Sequence, residues 1–239
     1  MIGKLSLLTL VGGFVAVGCA ATAAPEEELE SPPQASEGAA TFTASYTKRD
    51  GSLTESALLP RSQDRTLSPE VDFLRPVLQG VLYRGGFSQG DSDHSGLGPA
   101  TKSFCDKGFS QARYIDFSKA STRFGQTTCS AGSFDYEAGS SARPDEIMQS
   151  IHRIIKNNEG PMFVHCMWGV HSSGAIAAMA LVQFCGWSEA KAKSYWDKAR
   201  NNATCAGGCD KWIDDKFAKF HVDPALTISE EEQTAICPH

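Results

Sequence analysis

Cys166 has the greatest chemical potential of any residue in this chain because of its neighbours. Val164-His165-Cys166-Met167-Trp168-Gly169-Val170-His171-Ser172-Ser173-Gly174 sets a thiol between a histidine and a pair of hydroxyls, with glycines spaced through the turn. Pro161-Met162-Phe163-Val164 reads as a short buried strand and Ala175-Ile176-Ala177-Ala178-Met179-Ala180-Leu181-Val182 as a buried helix. The cysteine is therefore expected on a strand-to-helix turn. The first N–H groups of a helix have no intrahelical partner and carry the positive end of its dipole, so an anion above Cys166 would meet a ring of backbone donors. The same field favours a nucleophilic thiolate. Gly169 lets the turn curl tightly.

The stretch resembles the signature loop of the cysteine-dependent protein tyrosine and dual-specificity phosphatases, His-Cys-x-x-Gly-x-x-Arg-Ser/Thr-Gly. His165, Cys166, Gly169, Ser173 and Gly174 match position by position. The arginine's place is taken by Ser172, and Trp168 stands where the family usually has a small residue. The resemblance implies that Cys166 attacks phosphorus and that Ser173 assists the thiolate as leaving group. It also implies that the loop Met167, Trp168, Gly169, Val170, His171 and Ser172 cradles the phosphate. In the family the arginine clamps the phosphoryl oxygens through two parallel hydrogen bonds. A serine hydroxyl cannot replace a charged planar fork, and the neighbouring His171 is mostly uncharged at neutral pH.

Further elements must hold this turn in place. Gly80-Val81-Leu82-Tyr83-Arg84-Gly85-Gly86 reads as a strand ending in a glycine turn. It is similar to the Tyr-Arg-Ser/Gly strand of the same families, where Arg84 would be a structural pairing residue. Ala112-Arg113-Tyr114-Ile115-Asp116-Phe117 alternates like a strand and resembles the family's Ile-Asp-Leu strand, with Asp116 architectural. Helices are expected over residues 99–107, 144–156, 188–200 and 210–220. Between residues 118 and 144 the pattern loosens, and here the resemblance implies a mobile loop carrying a general acid. Asp135 is the first candidate, with Asp145 behind it. Arg123 and Arg143, from the same region, are the candidates to fill the vacancy at position 172.

The chain has 239 residues, 41% hydrophobic and 21% charged, enough for one well-buried domain with additional segments. A formal net charge of −6 without a basic run argues against nucleic acid as a partner. Residues 1–18 read as a signal peptide, with Lys4 ahead of an apolar stretch too short for a confident membrane span. Ala16-Val17-Gly18-Cys19 resembles a bacterial lipobox, which would lipidate Cys19. Cleavage after Ala21-Thr22-Ala23 is the competing reading. Residues 19–70 are acidic and rich in Ser, Pro and Thr and read as a tether. Residues 71–225 form the phosphatase-like domain and residues 226–239 an acidic tail. Setting aside Cys19 and Cys166 leaves Cys105, Cys129, Cys185, Cys205, Cys209 and Cys237, an even set suited to disulfides in an oxidising compartment. Cys185 could instead be a buried free thiol.

The expected fold is α/β, with a mainly parallel central sheet flanked by helices, tyrosine/dual-specificity-phosphatase-like. The expected protein is exported to the bacterial cell envelope and touches the membrane only through its N-terminal lipid anchor. It would be a pseudophosphatase that binds a phosphate-containing small molecule or a phosphoprotein, with no cofactor and no metal. An active phosphatase using Cys166 is the alternative, and a rhodanese-like sulfurtransferase a weaker one.

Overall fold

The structure, a computed structural model, describes residues 46–59, 71–87, 97–98, 100–115, 123–200, 202–205 and 207–239. The expected leader, Cys19, most of the expected tether and Asp116 lie outside these residues.

Six strands form one sheet in the order β1 (Val71–Leu78), β2 (Leu82–Phe87), β6 (Met162–Cys166), β3 (Gln111–Ile115), β5 (Gly132–Gly139) and β4 (Arg123–Cys129). The four central strands β2, β6, β3 and β5 run parallel, and β1 and β4 close the two edges antiparallel. A central parallel strand is buried on both faces and so needs unbroken apolar sequence. Met162-Phe163-Val164 supplies it. Val164 faces one core, built with α2 (Asp145–Asn157), α3 (Ser172–Cys185), α4 (Glu189–Ala199) and α5 (Cys209–Phe217). Phe163 faces the other, an aromatic layer with Tyr83, Phe104, Phe109, Phe134 and Tyr136 beneath the short helix α1 (Ala100–Asp106). The expected α/β architecture with a mainly parallel sheet is what the chain adopts.

The helices follow their apolar faces. Ile147, Met148, Ile151, Ile154 and Ile155 of α2 are buried, each contributing roughly 1.5–3 kcal/mol relative to exposure. α3 is buried almost all round, as its alanine-rich sequence requires. α2 ends on Asn158 at φ 53°. Its last carbonyls, at Ile154 and Ile155, accept from the Arg49 guanidinium, which also reaches Glu159 O at 2.8 Å.

Three segments differ from their sequence expectations. Much of the stretch from 118 to 144 is the β4–β5 hairpin, because Phe134 and Tyr136 alternate into the aromatic layer and the Cys105–Cys129 disulfide ties β4 to α1. Residues 46–59 of the expected tether pack on the domain. Tyr46, Leu53 and Leu58 are buried, with a 3-10 turn at Glu55–Leu58. The acidic tail is helix α6 (Glu230–Ile236), started by a Ser229–Glu232 capping box. The Cys185–Cys237 disulfide fixes its far end, so Cys185 is not a free thiol. No helix among the described residues is long and apolar enough to cross a membrane.

Candidate functional site

Cys166 is the last residue of β6, opposite Gly86 of β2, while His165 is opposite Tyr114 of β3. Beyond Cys166 the chain presses its backbone onto β2. A Cβ on Gly86 would stand 2.6 Å from Gly169 N, and one on Gly169, at φ +65°, would stand 2.6 Å from the carbonyl carbon of Gly85. Only glycine allows that approach on both sides.

The direction of the loop's peptides follows from their partners. Phe87 N–H donates to Met167 O at 3.1 Å. Arg84 donates through one guanidinium nitrogen to Gly169 O at 2.7 Å and Val170 O at 3.2 Å. A trans peptide points its N–H opposite to its C=O. The inward carbonyls of Met167, Gly169 and Val170 therefore turn the N–H groups of Trp168, Val170 and His171 outward, to the side on which Cys166 is half-exposed. Among the described residues these N–H groups donate to no backbone acceptor. They stand beside the N-terminus of α3, which begins at Ser172. The result is an anion-receiving concavity next to a thiol.

Ser173, fully buried, puts its Oγ 3.5 Å from Cys166 Sγ and donates to Gly85 O at 3.3 Å. One hydroxyl proton thus has two acceptors within reach, the Gly85 carbonyl and a thiolate at Cys166. His165 is fully buried, with Nε2 2.9 Å from Tyr136 OH and its ring against Tyr114. Burial pushes its pKa down to about 3, outweighing the raising influence of the Cys166 backbone. His165 is therefore neutral at physiological pH and braces the loop's entrance.

His171 turns away from the concavity. Its ring lies near Trp196 and Trp212, and its carbonyl accepts from Trp196 Nε1 at 3.0 Å. Burial lowers its pKa, with hydrogen bonds to the Ala203 and Thr204 backbone acting against that and Arg200 adding to it. It supplies no cation to the loop. Ser172 is half-buried at the start of α3, and Trp168 stands at the tip of the loop, 61% exposed.

The candidate acid and the candidate arginines are not brought to Cys166 alike. Asp135 lies on β5 opposite Gln111, which in turn is opposite Met162, at the beginning of β6. That level is about 13 Å below Cys166 at about 3.3 Å per strand residue. There Asp135 is held by Arg123 at 2.8 Å, and Glu137 lies 3.8 Å from the same guanidinium. Asp135 and Arg123 are thus tied to each other away from the thiol. β5 runs parallel to β6, and Gly139 at its end pairs with Ile115, so Arg143 and Asp145 emerge at the Cys166 end of the sheet. Arg143 is paired with Glu146 at 3.4 Å. Among the described residues, no group of three or more His, Cys, Asp or Glu side chains converges to hold a metal ion, and Cys205 and Cys209 form a disulfide.

The sequence reading missed that Arg84 holds the loop itself. The available signal was a charged residue inside an otherwise apolar strand. Tyr195, whose hydroxyl accepts from Arg84 at 3.2 Å, and Arg75, opposite Arg84 on β1, gave no comparable signal.

No family model matches the chain, and no curated protein matches it. Among solved structures it is similar to the human tyrosine phosphatase-like serine/threonine/tyrosine-interacting protein, at 16% identity over 61% of this chain and 95% of that one, TM-score 0.41. It is similar to Tk-PTP in the active form at 13% identity over 64% and 99%, TM-score 0.40. To TpbA of P. aeruginosa, solved in complex with pTyr, it is similar at 19% identity over 72% and 96%, TM-score 0.36.

Proposed function

We propose that this chain is a phosphatase-like protein whose loop at Cys166 receives the phosphate of a small molecule or a phosphoprotein and hydrolyses it slowly or not at all. The observation that carries this reading is that the Met167, Gly169 and Val170 carbonyls are taken by Phe87 and Arg84, which leaves the N–H groups of Trp168, Val170 and His171 without a backbone acceptor among the described residues beside a free Cys166, in a loop with serine at position 172. Backbone donors and a helix N-terminus are enough to hold a tetrahedral oxyanion. Flattening a phosphoryl group in transit needs charge that tightens on the transition state, and Ser172 offers only a neutral hydroxyl. Asp135, paired with Arg123 at the level of Met162, has no part in this reading.

The same reading makes the protein exported and attached to the cell envelope through a lipidated Cys19. Among the described residues, three disulfides beside one free thiol support an oxidising compartment. An active enzyme is the alternative, favoured by the contact between Ser173 and Cys166, which would ease departure of the thiolate from a thiophosphate.

Hydrolysis of para-nitrophenyl phosphate separates the two. The wild type is expected to show very slow or no turnover while binding phosphate weakly by calorimetry. Ser172→Arg is expected to gain at least about tenfold in rate, and the gain should vanish when Cys166→Ser is added. Robust wild-type turnover that depends on Cys166 would replace the binding-protein reading with an active phosphatase.

A further inference from the structure

Arg84 is fully buried and Arg75 is 4% exposed, and the two stand opposite each other across the β1–β2 pair. Among the described residues neither forms an ion pair with a carboxylate. Their partners are neutral. Arg84 donates to Tyr195 OH, Gly169 O and Val170 O, and Arg75 donates to Phe73 O at 2.8 Å and to Ala199 O at 3.2 Å. The Nε atoms of both are buried without a partner. Ala199 closes α4, so its carbonyl belongs to the negative end of that helix dipole and partly compensates Arg75.

Arg84 has no such compensation. Its guanidinium lies against the first turn of α3, where a Cβ on Gly174 would come within 2.7 Å of one terminal nitrogen and 2.9 Å of the other. A cation at a helix N-terminus meets the positive end of the dipole. Burial and then repulsion from Arg84 hold the Arg75 guanidinium down at about 9, with Tyr195 and, less strongly, Cys166 acting in the opposite direction. Two buried guanidinium groups and a helix N-terminus therefore converge beneath the loop without a carboxylate. Uncompensated buried charge is strongly unfavourable unless an anion answers it. The loop's outer face, where Cys166 and any bound oxyanion sit, is where that anion belongs.

Resting on the proposed anion-binding role of the loop, we propose that Arg84, backed by Arg75, is its positioning cation. From beneath, it supplies positive charge that Ser172 does not supply at the loop's own edge. It acts in two ways. It draws in the carbonyls of Gly169 and Val170, so that the N–H groups of Val170 and His171 face the anion, and its field, arising from a fully buried guanidinium, adds to theirs with little screening by water. It does not touch the anion, which is why the arrangement favours holding an oxyanion over catalysing its transfer.

Alkylation of Cys166 tests this without requiring hydrolysis. Iodoacetate carries a carboxylate and iodoacetamide does not, so the ratio of their rates reports how strongly the loop attracts an anion, with any change in the thiol itself cancelling. Cys166→Ser serves as the blank and glutathione as the reference thiol. The wild-type ratio is expected to exceed that of glutathione by roughly tenfold or more. A wild-type ratio no higher than that of glutathione would overturn the anion-receiving loop itself. Given the raised ratio, Arg84→Gln, which keeps a donor and loses the charge, should lower it by roughly tenfold, and Arg84→Lys should keep most of it. A wild-type ratio in Arg84→Gln overturns the proposal, and so does an equal loss in both variants, which would make Arg84 a brace alone. Arg75→Gln carries the same test if the Arg84 variants do not fold. A drop of roughly threefold is expected there, and an unchanged ratio would overturn the pair.

Discussion

At the scale of single residues, the site depends on atoms that cannot move apart. Gly174 shows which of two effects wins. Alanine is favoured over glycine in a helix by about 1 kcal/mol, yet a Cβ at 174 would meet both terminal nitrogens of Arg84 and the Trp196 ring at 2.7–2.9 Å. Arg84 is pinned by its bonds to Gly169, Val170 and Tyr195 and cannot yield. Overpacking costs about 1–3 kcal/mol, so after the helix gain Gly174→Ala is expected to lower stability by up to roughly 2 kcal/mol in urea denaturation and to weaken phosphate binding. An unchanged midpoint would mean that Arg84 is free to move. His165 makes a second residue-scale prediction. Its folded pKa, about 3, lies below the ordinary histidine value of 6.5, so the unfolded chain binds the extra proton between those values. Its contribution is complete above the unfolded pKa and is lost as pH falls toward the folded one. The slope is at most about 1.4 kcal/mol per pH unit. Denaturation midpoints measured across this window should fall with pH, and His165→Asn should flatten the dependence. Equal slopes in the two proteins would assign the effect to other groups.

At the scale of elements, β6 and α3 make the turn, and the disulfides decide how firmly the surrounding segments are held. In the chain-entropy account a cross-link stabilises more as the loop it closes lengthens. Cys185–Cys237, 52 residues apart, should contribute about 4 kcal/mol and Cys205–Cys209, 4 apart, about 2. The first also anchors α6, to which residues 46–59 are bound through Gly51 N donating to Ala235 O. Replacing the Cys185–Cys237 pair with alanine is therefore expected to lower the thermal midpoint more than replacing Cys205–Cys209. It should also release α6 and residues 46–59 together, seen as faster amide exchange in both. Exchange confined to α6 would show that the N-terminal segment is held independently, for instance by Arg49 at the end of α2.

At the scale of the whole molecule, the parallel centre of the sheet gathers the ends of β2 and β6 and the exit of β5 at one end, and the loop sits there. The sequence alone determined this centre. The short apolar run Met162-Phe163-Val164 behind Gly160-Pro161 reads as a buried strand, and the longer α2 and α3 patterns as a half-buried and a buried helix, because apolar spacing, run length and flanking breakers are all local in the sequence. It also determined the turn at Cys166 and the need for Gly169 within it, since both lie in one continuous stretch, while a part for Ser173 was only implied by the resemblance and its contact with the thiol is set by the fold. Tertiary structure alone decided what surrounds that turn. Residues 46–59 and α6 carry too few apolar residues to order themselves, and become part of the fold through a disulfide and backbone bonds to distant segments. Asp135 and Arg123 could be read as acid and substitute cation while their register was unknown. The β4–β5 pairing joins them to each other and leaves both remote from the thiol. Arg84 is the converse case. Whether a charge in an apolar strand is a structural partner or the electrostatic support of a site depends on which carbonyls, helix ends and carboxylates the fold brings within reach, and only long-range packing sets those distances.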